Sequence, residues 1–285
     1  LKPEFEDRVI ADFCAEYGAG RTPNPCVRCN RFIKFGLLFE RAARLGAKAM
    51  ATGHYVRNER DAASGRWLLK KGLDPDKDQS YFLYALTQAE LGRALFPLGG
   101  LTKAEVRRLA LAAGLPAAEK AESQEICFIP DNDYPEFLRG RCPAAFDPGP
   151  IVDPSGRVIG RHEGVAHFTV GQRRGMGIAS PHPLYVVEVD VRRKTIVAGP
   201  NEALYAGSLE ATNLNWIPIE RLSGPLTVRA RIRSRHAEAR ARIEALEEDR
   251  VRVDFERPQR AIAPGQSVVF YDGDIVVGGG TIDRS

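Results

Sequence analysis

The chain has 285 residues and a formal net charge of +4, and 44% of its residues are hydrophobic and 27% charged. This is an ordinary composition for a globular protein of two or three domains. No stretch has the length of a membrane-spanning helix and no secretory signal opens the chain, so we expect no membrane partner. The small positive charge permits a polyanionic partner if the basic residues cluster. The first residue is Leu1 rather than Met, which suggests a fragment or a processed product.

Two amphipathic helices are predicted near the start of the chain. "EFEDRVIADFCAEYGAG" and "FIKFGLLFERAARLG" both have helical hydrophobic spacing and both end at glycine. "RTPNP", which lies between them, predicts a loop because each proline restricts the residue before it and removes a backbone donor.

Short apolar strands are predicted to alternate with these helices. "AKAMATGH" reads as a short buried strand with Gly53 and His54 at its end. "TKAEVRRLALAAGLP" begins with a capping box formed by Thr102 and Glu105 and ends at Gly114. The alternation predicts an α/β layer with an at least partly parallel sheet.

Beyond about residue 145 the hydrophobic period changes from helical to alternating. "GPIVDPSGRVIG" and "LYVVEVDVRRKTIVAG" predict hairpins, and from Ser208 onward nearly every segment alternates, including the hairpin "SVVFYDGDIVVGG" with its turn at Asp272-Gly273. Several short strands at regular spacing predict a small β-barrel or sandwich. We therefore expect three domains, at residues 1–135, 136–206 and 207–285.

The chain has five cysteines, and their odd number does not suggest a disulfide framework, so a cytoplasmic location is expected. Cys26 and Cys29 form a CxxC in the predicted loop, without the second cysteine pair or paired histidines of a zinc site. Because the pair does not follow a strand and open a helix, a thioredoxin-like redox role is also weakened. Ordinary loop residues and thiols activated by Arg28, Arg31 and Lys34 remain about equally supported.

The other three cysteines carry less information. Cys14 lies near the apolar stripe of the first helix and is expected in the core. Cys127, in the apolar "ICFIP", is by itself best explained as a buried structural residue, and nothing singles out Cys142.

The segment "VRARIRSRH" predicts a basic strand face. Arg229, Arg231, Arg233 and Arg235 alternate with smaller or apolar residues, which would place all four guanidinium groups on one side. A solvated sheet face is the usual explanation, yet four arginines in register favour a nucleic-acid phosphate backbone. The arginines of "GQRRG" are likewise suited to phosphate oxygens.

Six segments in order resemble the bacterial tRNA-specific 2-thiouridylase family: "GRTPNPCVRCNRFIKFG", "MATGHYVR", "KDQSYFLYAL", "ESQEICFIP", "HFTVGQRRGMGI" and "PGQSVVFYDGDIVVGGGTI". The resemblance implies a doubly wound α/β domain of the ATP-pyrophosphatase type, here incomplete, followed by a small central domain and a C-terminal β-barrel. It also implies ATP-dependent transfer of a persulfide sulfur to C2 of the wobble uridine (U34) of tRNA, through an adenylated intermediate. ATP with Mg²⁺, tRNA and a sulfur-donor protein are the implied cofactors and partners, without a tightly bound metal.

Residue roles follow from the same resemblance. It implies that Cys29 is the nucleophile, that Cys127 carries the persulfide and that Gly53 contacts ATP. The positions that match the family's tRNA contacts are Asn24, Pro25, Cys26, His54, Lys77, Asp78, Gln79, Arg233, Ser234 and Gln266. Two positions depart from the family pattern, since the family can carry an acid where Cys26 stands and pairs its arginine with an aromatic residue rather than Ser234.

The family's "SGGVDS"-type pyrophosphate loop has no counterpart in this sequence. We therefore expect the polypeptide to bind ATP poorly by itself, and inactivity of this chain alone is left open. Three alternatives stay open: a tRNA-binding module without catalysis, a metal-dependent redox protein using Cys26 and Cys29, and an ATP-pyrophosphatase that acts on a small molecule.

Overall fold

Two long helices open the structure, which is a computed structural model describing residues 1–116, 126–129, 133–247 and 249–284. The first helix, α1, comprises the contiguous segments Lys2–Phe5, Glu6–Ile10 and Ala11–Gly18. The second, α2, comprises Pro25–Arg28, Cys29–Leu38 and Phe39–Arg44. The middle segment of each is π-helical. Both helices were predicted, and the apolar stripe of α1 is buried as expected.

A short parallel pair follows these helices. Strand β1 (Met50–Ala51) pairs with β4 (Ala94–Leu95). The prediction of a buried strand is only partly right, because β1 has two residues and is half-buried to exposed. Between β1 and β4 lie α3 (Ser80–Leu83) and α4 (Gln88–Leu91), and α5 (Lys103–Ala112) follows β4 with the predicted capping box.

A hairpin from the first third of the chain joins the C-terminal sheet. Strands β2 (Val56–Arg60) and β3 (Trp67–Lys71) are antiparallel, and β3 pairs with the last strand of the chain through Lys70 and Ile275. The sequence did not reveal this pairing, because it joins segments some two hundred residues apart.

The middle region forms a four-stranded sheet beside α1. Its strands are β5 (Gly149–Val152), β6 (Val158–His162), β7 (Tyr185–Asp190) and β8 (Thr195–Gly199), in the order β6-β5-β8-β7. The helix α6 (Tyr134–Arg139) and the apolar side of α1 share one hydrophobic core with this sheet. Both predicted hairpins are confirmed.

Six strands close into the predicted C-terminal barrel: β9 (Tyr205–Trp216), β10 (Leu226–Arg231), β11 (Ala239–Glu247), β12 (Arg250–Arg260), β13 (Ser267–Asp272) and β14 (Ile275–Arg284). The order β13-β10-β11-β12-β9-β14 is closed by the pairing of β13 with β14. Their inward side chains form a separate core. The tight turn at Gly273, with a φ of 55°, was also predicted.

Candidate active site

The CxxC motif opens a helix rather than lying in a loop. Asn24 is the N-cap of α2, its side chain accepts a hydrogen bond from the Val27 N–H at 3.4 Å, and Pro25 is the first helical residue. The loop prediction was therefore wrong from Pro25 onward, because a proline is compatible with the first turn of a helix. Cys26 is exposed and Cys29 half-buried.

Cys127 lies in a turn and interacts electrostatically with both of these thiols. Its exposed position shows that interpreting it as a buried structural cysteine was wrong. The flanking Phe128 packs against Phe5 and Phe13, with ring centroids 5.6 and 5.4 Å away. The turn therefore places a solvent-accessible sulfur beside the start of α2 while its apolar neighbours fill the core.

The three sulfurs interact electrostatically. Burial raises the pKa of Cys29, Lys34 lowers it, and Cys127 raises it. Desolvation by the surrounding protein raises the pKa of Cys26, and the charges of Cys127 and Cys29 raise it further. The sequence left activation by nearby cations as one of two alternatives, and in this structure the pKa values of both thiols are raised rather than lowered, since burial outweighs Lys34.

Arg28 and Arg31 do not serve as thiol partners. Arg28 forms an ion pair with Asp12 at 2.9 Å, and its guanidinium lies 4.8 Å from the centroid of the Phe32 ring. The guanidinium of Arg31 lies 5.1 Å from the centroid of the same ring.

Hydrogen bonds and an ion pair join the loop before α2 to the barrel. Gln266 donates from Nε2 to the carbonyl oxygens of Thr22 at 3.0 Å and Pro23 at 3.3 Å. Arg21 forms ion pairs with Glu16 at 2.8 Å and Asp283 at 3.1 Å. We call these contacts the cysteine-loop junction. Sequence reasoning missed Arg21, because its barrel partner is distant in the chain and no local pattern marks it.

Gly53 and His54 follow β1 and border α2. Gly53 is exposed, and a Cβ atom there would meet only Leu98 Cδ1, at 3.7 Å. Internal packing therefore does not require glycine, and the open surface is compatible with close approach of a nucleotide. His54 Nδ1 is 2.9 Å from Thr52 Oγ1, and its ring centroid is 6.0 Å from that of Phe35. Burial, followed by Lys34, lowers the pKa of His54 to about 4.

In the segment Lys77, Asp78 and Gln79, the last two side chains accept hydrogen bonds from backbone N–H groups of the protein. Asp78 Oδ1 accepts hydrogen bonds from the N–H groups of Gly72 and Ser80, both at 3.1 Å. Gln79 Oε1 accepts from the Tyr55 N–H at 3.0 Å. Gln79, rather than Asp78, is the N-cap of the following helix, although Asp78 satisfies the first N–H group of that helix.

The predicted four-arginine face does not exist. Strand β10 ends at Arg231, so Arg233 and Arg235 lie beyond the ladder in a turn. Arg231 pairs with Asp78 at 3.3 Å and with Glu238 at 2.7 Å. We call this the buried ion-pair junction, since the Asp78 side chain is only 4% exposed.

Two of these arginines are thus internal and two external. Arg233 Nη2 donates to the carbonyl oxygens of Val170 at 2.9 Å and Ala261 at 3.0 Å, and Ser234 beside it is half-buried. Arg229 and Arg235 are exposed. Alternation alone could not show this, because the ladder stops before the pattern does.

Within the described residues, no group of three or more His, Cys, Asp or Glu side chains could hold a metal ion. No described helix is long and apolar enough to cross a membrane.

Sequence models of three families match consecutive parts of the chain. They are the tRNA methyl transferase HUP domain over residues 1–131, the tRNA methyl transferase PRC-barrel domain over 135–200 and the aminomethyltransferase β-barrel domain over 206–282. The predicted fold class, an α/β domain with a small central domain and a C-terminal barrel, is confirmed by these matches and by the structure.

Whole-chain relatives agree with the resemblance. The tRNA-specific 2-thiouridylase MnmA 1 of Caldanaerobacter subterraneus subsp. tengcongensis is 53% identical over 284 residues, which cover 100% of this chain and 78% of that protein. The tRNA-specific 2-thiouridylase MnmA of Symbiobacterium thermophilum is 52% identical over 283 residues, covering 99% and 73%. That of Geotalea uraniireducens is 53% identical over 286 residues, covering 100% and 76%.

Proposed function

The chain belongs to the tRNA-specific 2-thiouridylase family, and we propose that it replaces the C2 oxygen of the wobble uridine (U34) of tRNA by sulfur. The observation that carries this proposal is the electrostatic interaction between Cys127 and Cys29, two thiols about a hundred residues apart in sequence. Thiol exchange requires one thiolate within reach of a second sulfur. A tRNA-binding module without chemistry would not need this arrangement.

Cys127 holds the sulfur that is transferred. A sulfur-donor protein loads Cys127 with a persulfide, whose deprotonated outer sulfur attacks C2 and forms a carbon–sulfur bond. When bound, ATP with Mg²⁺ would supply the adenylyl group that makes the uridine oxygen a leaving group, so that the C2–O bond breaks and the oxygen departs with AMP. The exposed surface at Gly53 is the part of this chain that would approach the nucleotide.

Cys29 completes the exchange. Its thiolate attacks the Cys127 sulfur and breaks the persulfide S–S bond, so that the electron pair stays on the sulfur bonded to C2. The product is 2-thiouridine together with a Cys29–Cys127 disulfide. A dithiol reductant then supplies two electrons and two protons to restore both thiols.

We assign the tRNA to the surface around the start of α2. Asn24 and Cys26 would meet the target base, with the buried Pro25 between them shaping the first turn of α2, while His54 and Lys77 would contact the neighbouring RNA. Asp78, Gln79, Arg233, Ser234 and Gln266 complete the proposed set. Several polar groups of this second set already hold loops in place. We therefore assign the second set chiefly to positioning the exposed residues that would contact tRNA.

The test is chromosomal replacement of single cysteines in the source organism. Cys29→Ser and Cys127→Ser should each reduce 2-thiouridine in total tRNA at least about a hundredfold, because neither serine can form the required S–S bonds. Cys142→Ser is the matched control and should leave 2-thiouridine unchanged, since Cys142 is half-buried in the central domain. Mass spectrometry of tRNA nucleosides provides the measurement, and survival of the modification in either Cys29→Ser or Cys127→Ser would refute the assignment.

A further inference from the structure

Lys34 occupies a position on α2 that the proposed chemistry does not yet use. The segment Cys29–Leu38 is π-helical, and its backbone hydrogen bonds join residues five apart. Lys34 is five residues after Cys29, so the π-helical register brings it closer to the cysteine's side of the helix than an α-helix would.

The surroundings of Lys34 favour an interaction with a negative charge. Lys34 is half-buried, and the next residue, Phe35, packs near the His54 ring, so this part of the helix faces the end of β1. No carboxylate among the described residues forms an ion pair with Lys34, in contrast to Arg28, which is paired with Asp12. A partly desolvated ammonium group is stabilised by a nearby negative charge.

We propose that Lys34 is the counter-ion of the Cys29 thiolate. It acts through the Cys29 sulfur, holding the negative charge that this sulfur must carry when it attacks the Cys127 persulfide. The inference rests on the proposed function, which supplies the need for a thiolate at Cys29.

The electrostatics of the site agree with this role. Lys34 is the cation that lowers the pKa of Cys29, against burial and the Cys127 sulfur. Cys26, from the first turn of the same helix, is influenced by Lys34 as well. His54, the group facing Lys34 from the end of β1, has a pKa of about 4, so it is neutral near pH 7 and supplies no competing positive charge.

The inference can be tested through the reactivity of Cys29, independently of sulfur transfer. In a Cys26→Ser/Cys127→Ser background, iodoacetamide alkylation of Cys29 is followed against pH by peptide mass spectrometry. The reagent is uncharged, so its rate reports the thiolate rather than attraction to lysine. Lys34→Gln should move the midpoint of the pH–rate profile upward by about half to one pH unit.

At pH 7.5 the alkylation rate should fall about two- to fourfold, because the thiolate fraction falls more than thiolate nucleophilicity rises. Lys34→Arg keeps the charge and should retain a profile close to that of the parent. Cys14, which is buried, serves as a folding control and should stay protected in all variants.

An unchanged Cys29 profile in Lys34→Gln, with Cys14 still protected, would overturn the role of Lys34. So would a Lys34→Arg profile that shifts as far as that of Lys34→Gln. Exposure of Cys14 in Lys34→Gln would likewise count against the inference, because it would assign Lys34 to folding. None of these results bears on the cysteine replacements in the source organism, so the two proposals fail separately.

Discussion

The barrel meets the first part of the chain at two junctions that are built differently. The cysteine-loop junction uses side chains that donate to backbone carbonyls and ion pairs that remain partly open to water, with Asp283 34% exposed. The buried ion-pair junction places Arg231 between two carboxylates that are 4% and 12% exposed. In both junctions, barrel residues that the sequence suggested for RNA binding hold loops of the proposed active site in position.

The difference predicts unequal tolerance to substitution. A partly hydrated carboxylate that loses its partner regains water, whereas a buried one is left with an uncompensated charge. The buried ion-pair junction should therefore dominate stability. The cysteine-loop junction should chiefly control where α2 begins.

Arg231→Met should give the largest effect, lowering the free energy of unfolding by about 3 kcal/mol because Asp78 loses its cationic partner and Glu238 keeps only Lys71, at 2.7 Å. Urea denaturation measures the change. Arg229→Met, on the same strand but exposed, is the control and should stay within about 0.5 kcal/mol of the parent.

A second variant separates charge from packing at Arg231. Adding Asp78→Asn to Arg231→Met should recover part of the loss, because one uncompensated carboxylate is removed. If Arg231→Met and Arg229→Met were equally stable, the distinction between an internal and an external arginine would be wrong.

Arg21→Met should have an intermediate effect, a loss of about 1 to 2 kcal/mol in the free energy of unfolding. Methionine keeps the aliphatic stem but not the ion pairs with Glu16 and Asp283, both of which retain access to water. The matched control is Arg41→Met, which removes the exposed pair with Glu4 at 3.0 Å. A cost for Arg21→Met as large as that for Arg231→Met would contradict the proposed ranking.

Local sequence signals predicted the elements but not the junctions. The apolar stripe of α1, the capping box at Thr102 and the turn at Gly273 depend on residues a few positions apart, and all three were predicted. Arg231 and Asp78 are separated by 153 residues, and Gln266 and Thr22 by 244. No periodicity encodes such pairings.

The errors at the candidate site have the same origin. Two prolines around the CxxC indicated a loop, whereas Pro25 is the first residue of a helix capped by Asn24. Alternating arginines indicated a strand face, whereas the hydrogen-bonded ladder ends at Arg231. In each case composition described the side chains correctly, but the chain's tertiary contacts decided where the element begins or ends.

Gln266→Ala should have the smallest effect on stability, about 1 kcal/mol, because it removes two neutral hydrogen bonds to the carbonyls of Thr22 and Pro23. Its clearer consequence should be local. Amide hydrogen exchange at Val27, whose N–H is capped by Asn24, should become faster since the loop that carries the cap loses its attachment to the barrel.

Gln259→Ala provides the comparison for that measurement, because Gln259 is a barrel glutamine whose side-chain nitrogen bonds the nearby carbonyl of Arg257. It should leave exchange at Val27 unaltered. Equal exchange in Gln266→Ala and the parent would mean that the backbone bond from Thr22 N–H to the Pro264 carbonyl, together with Arg21, holds the loop without the glutamine. Faster exchange would instead make Gln266 the link through which the barrel fixes the start of the cysteine helix.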